Sequence, residues 1–263
     1  MVLTNRRNRR REFIALAGST TVLGLAGCTG SSDTGSSNPS TISEGFESGT
    51  YTDDPIWTPR NDANKIEVVS EFVYEGDHCL RIQHEDVAIP VGQGKVGDPQ
   101  PAYLTTEIAE TAADHTLTGL FSQDENYENV GSFIALLNSD TTEWVGAGTE
   151  ADGVPQLRYY DGTGSDPYTL ARGADGHNVN SGYDNSGTVL RGRTAGEYLS
   201  VEINVNSADA TAEISVGEAD GNNNIVEETF SLTETAFDEI FLYSAAESGP
   251  GASYFDAIEL TTD

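Results

Sequence analysis

The segment Tyr198-Leu-Ser-Val-Glu-Ile-Asn-Val205 decides the fold class of this chain, because apolar and polar side chains alternate along it. Val201, Ile203 and Val205 share one face of an extended strand, and the serine, glutamate and asparagine between them share the other. A period of two residues is that of a half-buried β-strand. The segment therefore predicts a strand with one face in a hydrophobic core and one face in solvent.

Similar short runs recur about every 8 to 15 residues, separated by Gly, Asn and Asp, while helical periodicity is nearly absent. This pattern is typical of an antiparallel all-β sandwich or barrel. The predicted strands are Lys65–Val73, Cys79–His84, Tyr103–Ala109, Thr116–Phe121, Ser132–Asn138, Gln156–Tyr160, Tyr198–Asn206, Thr211–Val216, Phe237–Tyr243 and Ser253–Leu260.

The first 28 residues carry two motifs that are typical of protein export. Arg9-Arg10-Arg11-Glu12-Phe13-Ile14 resembles the twin-arginine signal, and Leu25-Ala26-Gly27-Cys28 resembles the lipobox of lipoproteins. The apolar run between them is shorter than the roughly 20 residues that span a bilayer. We expect residues 1–27 to be a signal peptide and Cys28 to carry a lipid. That lipid would hold the chain on the extracellular face of the cytoplasmic membrane.

Acidic residues outnumber basic ones, with 43 Asp and Glu against 13 Lys and Arg. Residues 1–27 contain five of the arginines and one of the glutamates, so the remainder has 8 basic and 42 acidic residues, a net charge of −34. Such a surface repels nucleic acid, which we therefore exclude as a partner. Lysine occurs only as Lys65 and Lys95, and this composition resembles that of proteins from halophilic archaea. In molar salt the Debye length is about 3 Å, so most carboxylates should be solvated surface groups.

The composition also divides the chain. Residues 28–42 are rich in Gly, Ser and Thr, so they predict a flexible tether that follows the lipidated cysteine. Residues 43–263 have a uniform composition with no second linker, which indicates one β-sandwich domain, and we expect a monomer.

Three short segments of this domain resemble landmarks of carbohydrate-binding jelly rolls. They are Gly45-Phe46-Glu47-Ser48-Gly49, the run from Tyr74 to Ile82, and Tyr254-Phe255-Asp256-Ala257-Ile258-Glu259-Leu260. The length of the domain fits the concanavalin A-like lectin/glucanase (LamG-like) group better than the shorter galactose-binding-like modules, which the same segments also resemble. The resemblance implies an antiparallel jelly-roll sandwich whose first and last strands lie side by side.

The resemblance also implies one structural calcium ion near the ends of those two strands. The matching positions are Glu47 and Asp256, with Asp77 in the turn between the landmarks. Calcium needs several oxygen ligands at once, so carboxylates brought together from both ends of the domain would suit it. The alternative is that these are ordinary acidic residues of a very acidic protein.

A glycan site needs aromatic faces for sugar CH groups and planar polar groups for hydroxyls. Alternation places Arg158 and Tyr160 on one face of their strand, and Arg81 and Gln83 together on another. If both faces line one groove, these groups would grip a sugar. The candidate carbohydrate-binding residues are Trp144, Arg158, Tyr160, Arg81, Gln83 and Tyr168. The alternative is that the rings belong to the core and the polar groups to the surface.

Catalytic motifs of this fold group are missing. Retaining glucanases carry Glu-x-Asp-x-(x)-Glu on one strand, and no such triplet occurs in the sequence. The jelly-roll lyases carry Gln-x-His, whereas Gln83 and His84 are adjacent. No catalytic residue is assigned.

We therefore expect a carbohydrate-binding or adhesion module whose partner is a polysaccharide or surface glycan. The alternatives are a polysaccharide lyase or glycoside hydrolase of the same fold, and a structural or accessory surface lipoprotein that binds no glycan.

Overall fold

The computed structural model describes residues 40–61, 65–84, 102–111, 113–124, 130–141, 143–149, 155–161, 196–221, 224–246 and 251–263. Every regular element in these ranges is a β-strand. Helices long and apolar enough to cross a membrane do not occur in them. The predicted signal peptide with Cys28, the tether up to residue 39, and Tyr168 lie outside the described residues.

Two antiparallel sheets form the structure. The eight-stranded sheet has the order β12-β11-β10-β6-β14-β4-β3, and β1 also pairs with β14. Its strands are β1 (Ser40–Glu44), β3 (Ile66–Val69), β4 (Cys79–His84), β6 (His115–Gln123), β10 (Leu199–Asn206), β11 (Thr211–Glu218), β12 (Asn224–Ser231) and β14 (Gly251–Thr262).

The six-stranded sheet has the order β2-β5-β13-β7-β8-β9. Its strands are β2 (Thr58–Asn61), β5 (Ala102–Glu107), β7 (Val130–Leu137), β8 (Glu143–Thr149), β9 (Pro155–Asp161) and β13 (Glu239–Ala246).

The core lies between the two sheets and consists of alternate side chains of both. Val201, Ile203 and Val205 are buried in it, as the alternation predicts, and Ile134 and Leu242 reach it from the six-stranded sheet. The prediction of an all-β antiparallel sandwich is confirmed.

Each of the ten predicted strands overlaps an observed one, and four observed strands were not predicted: β1, β2, β8 and β12. The two glycines of β8, Gly146 and Gly148, weaken its strand signal in the sequence. β1 begins at Ser40, inside the segment assigned to the tether, and pairs with β14 from Ser40 to Glu44. The first and last strands therefore lie side by side, as the resemblance implies.

His115 at the start of β6 is a buried titratable group, with 1% of its surface exposed. Its Nε2 atom lies 3.3 Å from the carbonyl oxygen of Thr111. Burial lowers the pKa of His115 below its ordinary value, because the imidazolium ion loses its hydration. The folded chain therefore binds this proton less readily than the unfolded chain does.

We predict that stability is complete above the unfolded-state histidine pKa of about 6.5 and decreases below it, by at most about 1.4 kcal/mol per pH unit. Urea unfolding at about pH 7.5 and about pH 5.5 measures this change. In His115→Gln the decrease should be smaller than in the wild-type chain. Equal decreases in both chains would exclude His115 as its source.

Candidate functional site

The six-stranded sheet has aromatic side chains on the face that points away from the core. We call this surface the aromatic face, and its rings are Tyr103, Phe133, Trp144, Tyr160, Phe241 and Tyr243. The residues between them in the strands, such as Leu104 and Ile134, belong to the core. Strands β7, β8 and β13 thus carry buried apolar side chains on both faces, which distinguishes this sheet from a half-solvated one.

Trp144 and Tyr160 form the most regular contact of the aromatic face. They are direct partners in the β8–β9 ladder, and their rings stack with centroids 6.2 Å apart and an interplanar angle of 25°. Two of the predicted glycan-binding residues are therefore neighbours on one surface.

Arg158 lies on the same face of β9 and is 2% exposed. Its Nε and Nη2 atoms donate to Gln156 Oε1 at 3.0 and 2.8 Å. The guanidinium carbon lies 5.0 Å from the centroid of the Phe133 ring, which is a cation–π distance. Burial lowers the pKa of Arg158 to about 10, so the group remains charged at neutral pH.

Small residues separate these side chains in the middle of the face. Ala135, Gly146 and Gly148 occupy the central positions of β7 and β8. A Cβ atom at Gly148 would lie 1.8 Å from the carbonyl oxygen of Ser132, so the close approach of the two strands requires glycine there. The centre of the face is consequently lined by backbone.

A cluster of polar side chains occupies the end of the aromatic face near β2. Glu107 of β5 and Glu239 of β13 are direct partners across the ladder, and side chains on directly opposite residues approach within about 5 Å. Arg60 of β2 pairs with Glu239 through Nη2, and its Nε donates to Thr105 Oγ1 at 2.9 Å. The arginine thus neutralises one of two opposed carboxylates.

Access to the face differs along its length. Trp144 and Tyr160 in the β8–β9 region are at most 9% exposed. Glu107 is exposed, Tyr103 is half-buried and 35% of the Arg60 side chain is exposed. The β2–β5 side is therefore the accessible side of the aromatic face.

The structure separates Arg81 and Gln83 from the other candidates. Both lie on β4 of the eight-stranded sheet, where Leu80 and Ile82 point to the core. Arg81 forms ion pairs with Glu67 and Glu71 on the outer side of that sheet. The two sets therefore do not line one groove, because the sandwich core lies between them. Tyr168 is outside the described residues.

The outer side of the eight-stranded sheet is polar where β10, β11 and β12 meet. A depression of about 440 Å³ is lined there by Glu202, Asn204, Glu213, Ser215, Asn224, Glu227, Glu228 and Thr229, with Ile214 beneath. Asn204 donates to Glu202 Oε1 at 2.8 Å. This surface offers carboxylates and amides but no ring for a sugar to stack on.

The three calcium candidates do come together, but not as a cation site. Asp256 and Glu47 both accept hydrogen bonds from backbone N–H groups of residues 74–78, and Asp77 contributes its N–H while its side chain is exposed. Among the residues that the structure describes, no group of three or more Asp, Glu, His or Cys side chains is placed to hold a metal ion. The partners of these two carboxylates are N–H donors and not the further oxygen atoms that calcium needs, so the described residues do not fit calcium.

Most of the aromatic face and its polar end are not among the residues predicted from the sequence. The run Phe241-Leu-Tyr243 is apolar at every position and does not alternate with polar residues. Such a run is the sequence signal of a strand that is covered on both faces. The opposition of Glu107 and Glu239 has no such signal, since the two residues are far apart in the sequence and meet only through strand pairing.

Comparisons with solved structures establish the fold. Lectin I from Ulex europaeus superimposes with a TM-score of 0.51 and 12% sequence identity, covering 86% of this chain and 98% of the lectin. A lichenase from a mouse hindgut metagenome gives a TM-score of 0.53 at 14% identity, covering 85% of this chain and 98% of the enzyme. The β-glucanase of Bacillus licheniformis gives 0.52 at 12% identity, covering 88% and 100%. The chain therefore has the concanavalin A-like jelly-roll fold of lectins and glucanases.

Sequence comparisons add no relative. No protein-family model matches the chain, and no curated protein matches it either.

We predict that Arg60→Gln destabilises the chain by about 1 kcal/mol in low salt, because it leaves Glu107 opposed to an unneutralised Glu239. Urea unfolding measures the change. The double variant Arg60→Gln/Glu107→Gln should recover part of the loss, and so should molar salt, which screens the repulsion. The same loss at both salt concentrations would show that Arg60 acts through packing and not through its charge.

Proposed function

We propose that this protein is a lipid-anchored carbohydrate-binding or adhesion module that holds a polysaccharide or surface glycan without cleaving it. The observation that carries the proposal is the aromatic face, where Trp144 stacks on Tyr160 next to Arg158 and Gln156. Rings beside planar hydrogen-bonding groups are the combination that a sugar needs. In our proposal the glycan enters from the accessible side, at Tyr103, and extends towards Trp144.

The compared proteins support a glycan as the ligand class. The Ulex europaeus lectin was solved with the methyl glycoside of α-L-fucose, and two of the compared enzymes are glucanases. Because the likeness is one of fold, the aromatic face carries the proposal for this chain.

The placement of the module follows from the sequence motifs. We propose export through the twin-arginine pathway, lipidation at Cys28, and display on the extracellular face of the cytoplasmic membrane, in a halophilic archaeon. The high negative charge suits a surface protein that works in concentrated salt, where carboxylates hold water and repulsion is screened.

The test is retention of the full-length chain in molar salt on a panel of immobilised polysaccharides, with the supernatants assayed for released sugar ends. We predict saturable retention on at least one glycan without release. Tyr103→Ala should weaken retention about tenfold or more, since it removes the stacking ring on the accessible side of the aromatic face.

Tyr74→Ala is the matched control. Tyr74 is 46% exposed and packs on Tyr198 of the eight-stranded sheet, so its loss removes an accessible ring from the other side of the sandwich. Equal weakening by Tyr74→Ala would refute the aromatic face as the site. Retention on no glycan of the panel would favour the structural or accessory lipoprotein.

Glycoside hydrolysis is the second candidate, and the opposed pair Glu107 and Glu239 is the observation that favours it. Retaining glycosidases place two carboxyl groups about 5 to 5.5 Å apart, a separation that directly opposite glutamates can reach. Arg60 forms an ion pair with Glu239, so the candidate nucleophile has a cationic partner. Release of sugar ends that is lost in both Glu107→Gln and Glu239→Gln would establish this activity in place of binding alone.

A further inference from the structure

The long last strand, β14, changes its partner at Asp256. Residues Gly251 to Phe255 pair with β4, and Ile258 to Thr262 pair with β1 on the same edge. The register with β6 shifts between Asp256 and Glu259, and Ala257 has a φ of 48°, which is the left-handed region. The strand therefore has a bulge where two partner strands leave a gap between them.

The Asp256 carboxylate is fully buried at this bulge and is surrounded by backbone donors. Its Oδ2 accepts hydrogen bonds from the N–H of Tyr74 at 2.9 Å and of Glu75 at 3.1 Å. Its Oδ1 accepts one from the N–H of Ala257 at 2.8 Å. Burial raises the pKa of Asp256, and the three N–H bonds act in the opposite direction, so they are the partners that this buried carboxylate needs.

The Glu47 carboxylate binds the other half of the same turn. It accepts from the N–H of Asp77 at 2.9 Å and from the N–H of His78 at 3.2 Å. These two bonds lower the pKa of Glu47. Gly76 directly precedes these two donors and has a φ of 76°, and a Cβ atom there would be 2.2 Å from Glu47 Oε1. The turn therefore accommodates the carboxylate only because residue 76 has no side chain.

The chemistry of this place differs from that of a calcium site. Calcium is held by six to eight oxygen atoms at about 2.3 to 2.6 Å. Here the N–H groups of residues 74, 75, 77 and 78 converge on two carboxylates, which is the arrangement of a backbone anion site. We propose that Glu47 and Asp256 clamp the 74–78 turn onto the last strand and close the sandwich without a metal ion, at the place where the resemblance implies calcium.

The clamp also orders the surface beside it. Phe72 packs edge-on against Tyr254, and Tyr74 packs against Tyr198 and donates from its hydroxyl to the carbonyl of Ala219. These contacts place the 70–78 segment over the outer side of the eight-stranded sheet, where Cys79 is buried. The proposal concerns this sheet and does not depend on the function proposed for the aromatic face.

The experiment is thermal unfolding of the full-length chain in molar salt, with calcium or with EDTA. We expect the same Tm in both. Asp256→Asn should lower the Tm by about 5 to 10 °C, because an amide cannot accept all three N–H bonds. Glu47→Gln should lower it by about 2 to 5 °C, since this carboxylate is more exposed.

Two controls separate the clamp from charge and from backbone strain. Glu213→Gln removes the same charge from the open outer surface and should leave the Tm unchanged. Gly49 has a φ of 78° with no atom within 4 Å of a built Cβ, so Gly49→Ala carries the same strain as Gly76→Ala without displacing Glu47. Gly76→Ala should therefore lower the Tm by several degrees more than Gly49→Ala.

Two results would overturn the proposal. One is a Tm that calcium raises by several degrees in the wild-type chain but not in Asp256→Asn, which would identify a calcium site. The other is a set of variants at residues 47, 76 and 256 with Tm values like those of their controls. If Asp256→Asn does not fold, Glu47→Gln and the glycine pair still decide the question.

Discussion

The eight-stranded sheet depends on the pairing of its last strand. β14 joins the two parts of that sheet, because β6 lies along one of its edges and β4 and β1 share the other. One strand can have two successive partners on one edge only if its backbone turns between them, and the bulge at Asp256 supplies that turn. The buried Asp256 carboxylate at the bulge then accepts hydrogen bonds from N–H groups that have no partner in the strand ladders.

The two outer sides of the sandwich have different chemistry, and the proposed glycan site uses only one of them. The eight-stranded sheet presents glutamate and asparagine side chains to solvent along β10 and β11. The six-stranded sheet presents rings around Arg158. Of the four basic side chains in the described part of the chain, two, Arg60 and Arg158, are on the aromatic face.

Local periodicity was enough to predict the sandwich, since each alternating run depends on its own residues alone. Alternation along β9 places Arg158 and Tyr160 on one face, whereas Trp144 joins them only through the β8–β9 ladder, and β8 was not among the predicted strands. What the sequence could not provide is the identity of strand neighbours. Arg81 was grouped with Arg158 because a strand pattern does not say which sheet it joins. Glu107 and Glu239 were not connected at all, because their contact exists only through the β5–β13 register.

The carboxylates illustrate why residue type alone does not assign a role in this protein. Glu202 and Glu213 face solvent, Glu239 is bound by an arginine, and Asp256 is enclosed by N–H groups. Screening acts differently on exposed and buried carboxylates. Molar salt weakens interactions between exposed charges, whereas a carboxylate buried among fixed dipoles is little affected. The repulsion between exposed carboxylates therefore changes with the salinity of the surroundings, while the contacts that hold β14 and the aromatic face stay constant.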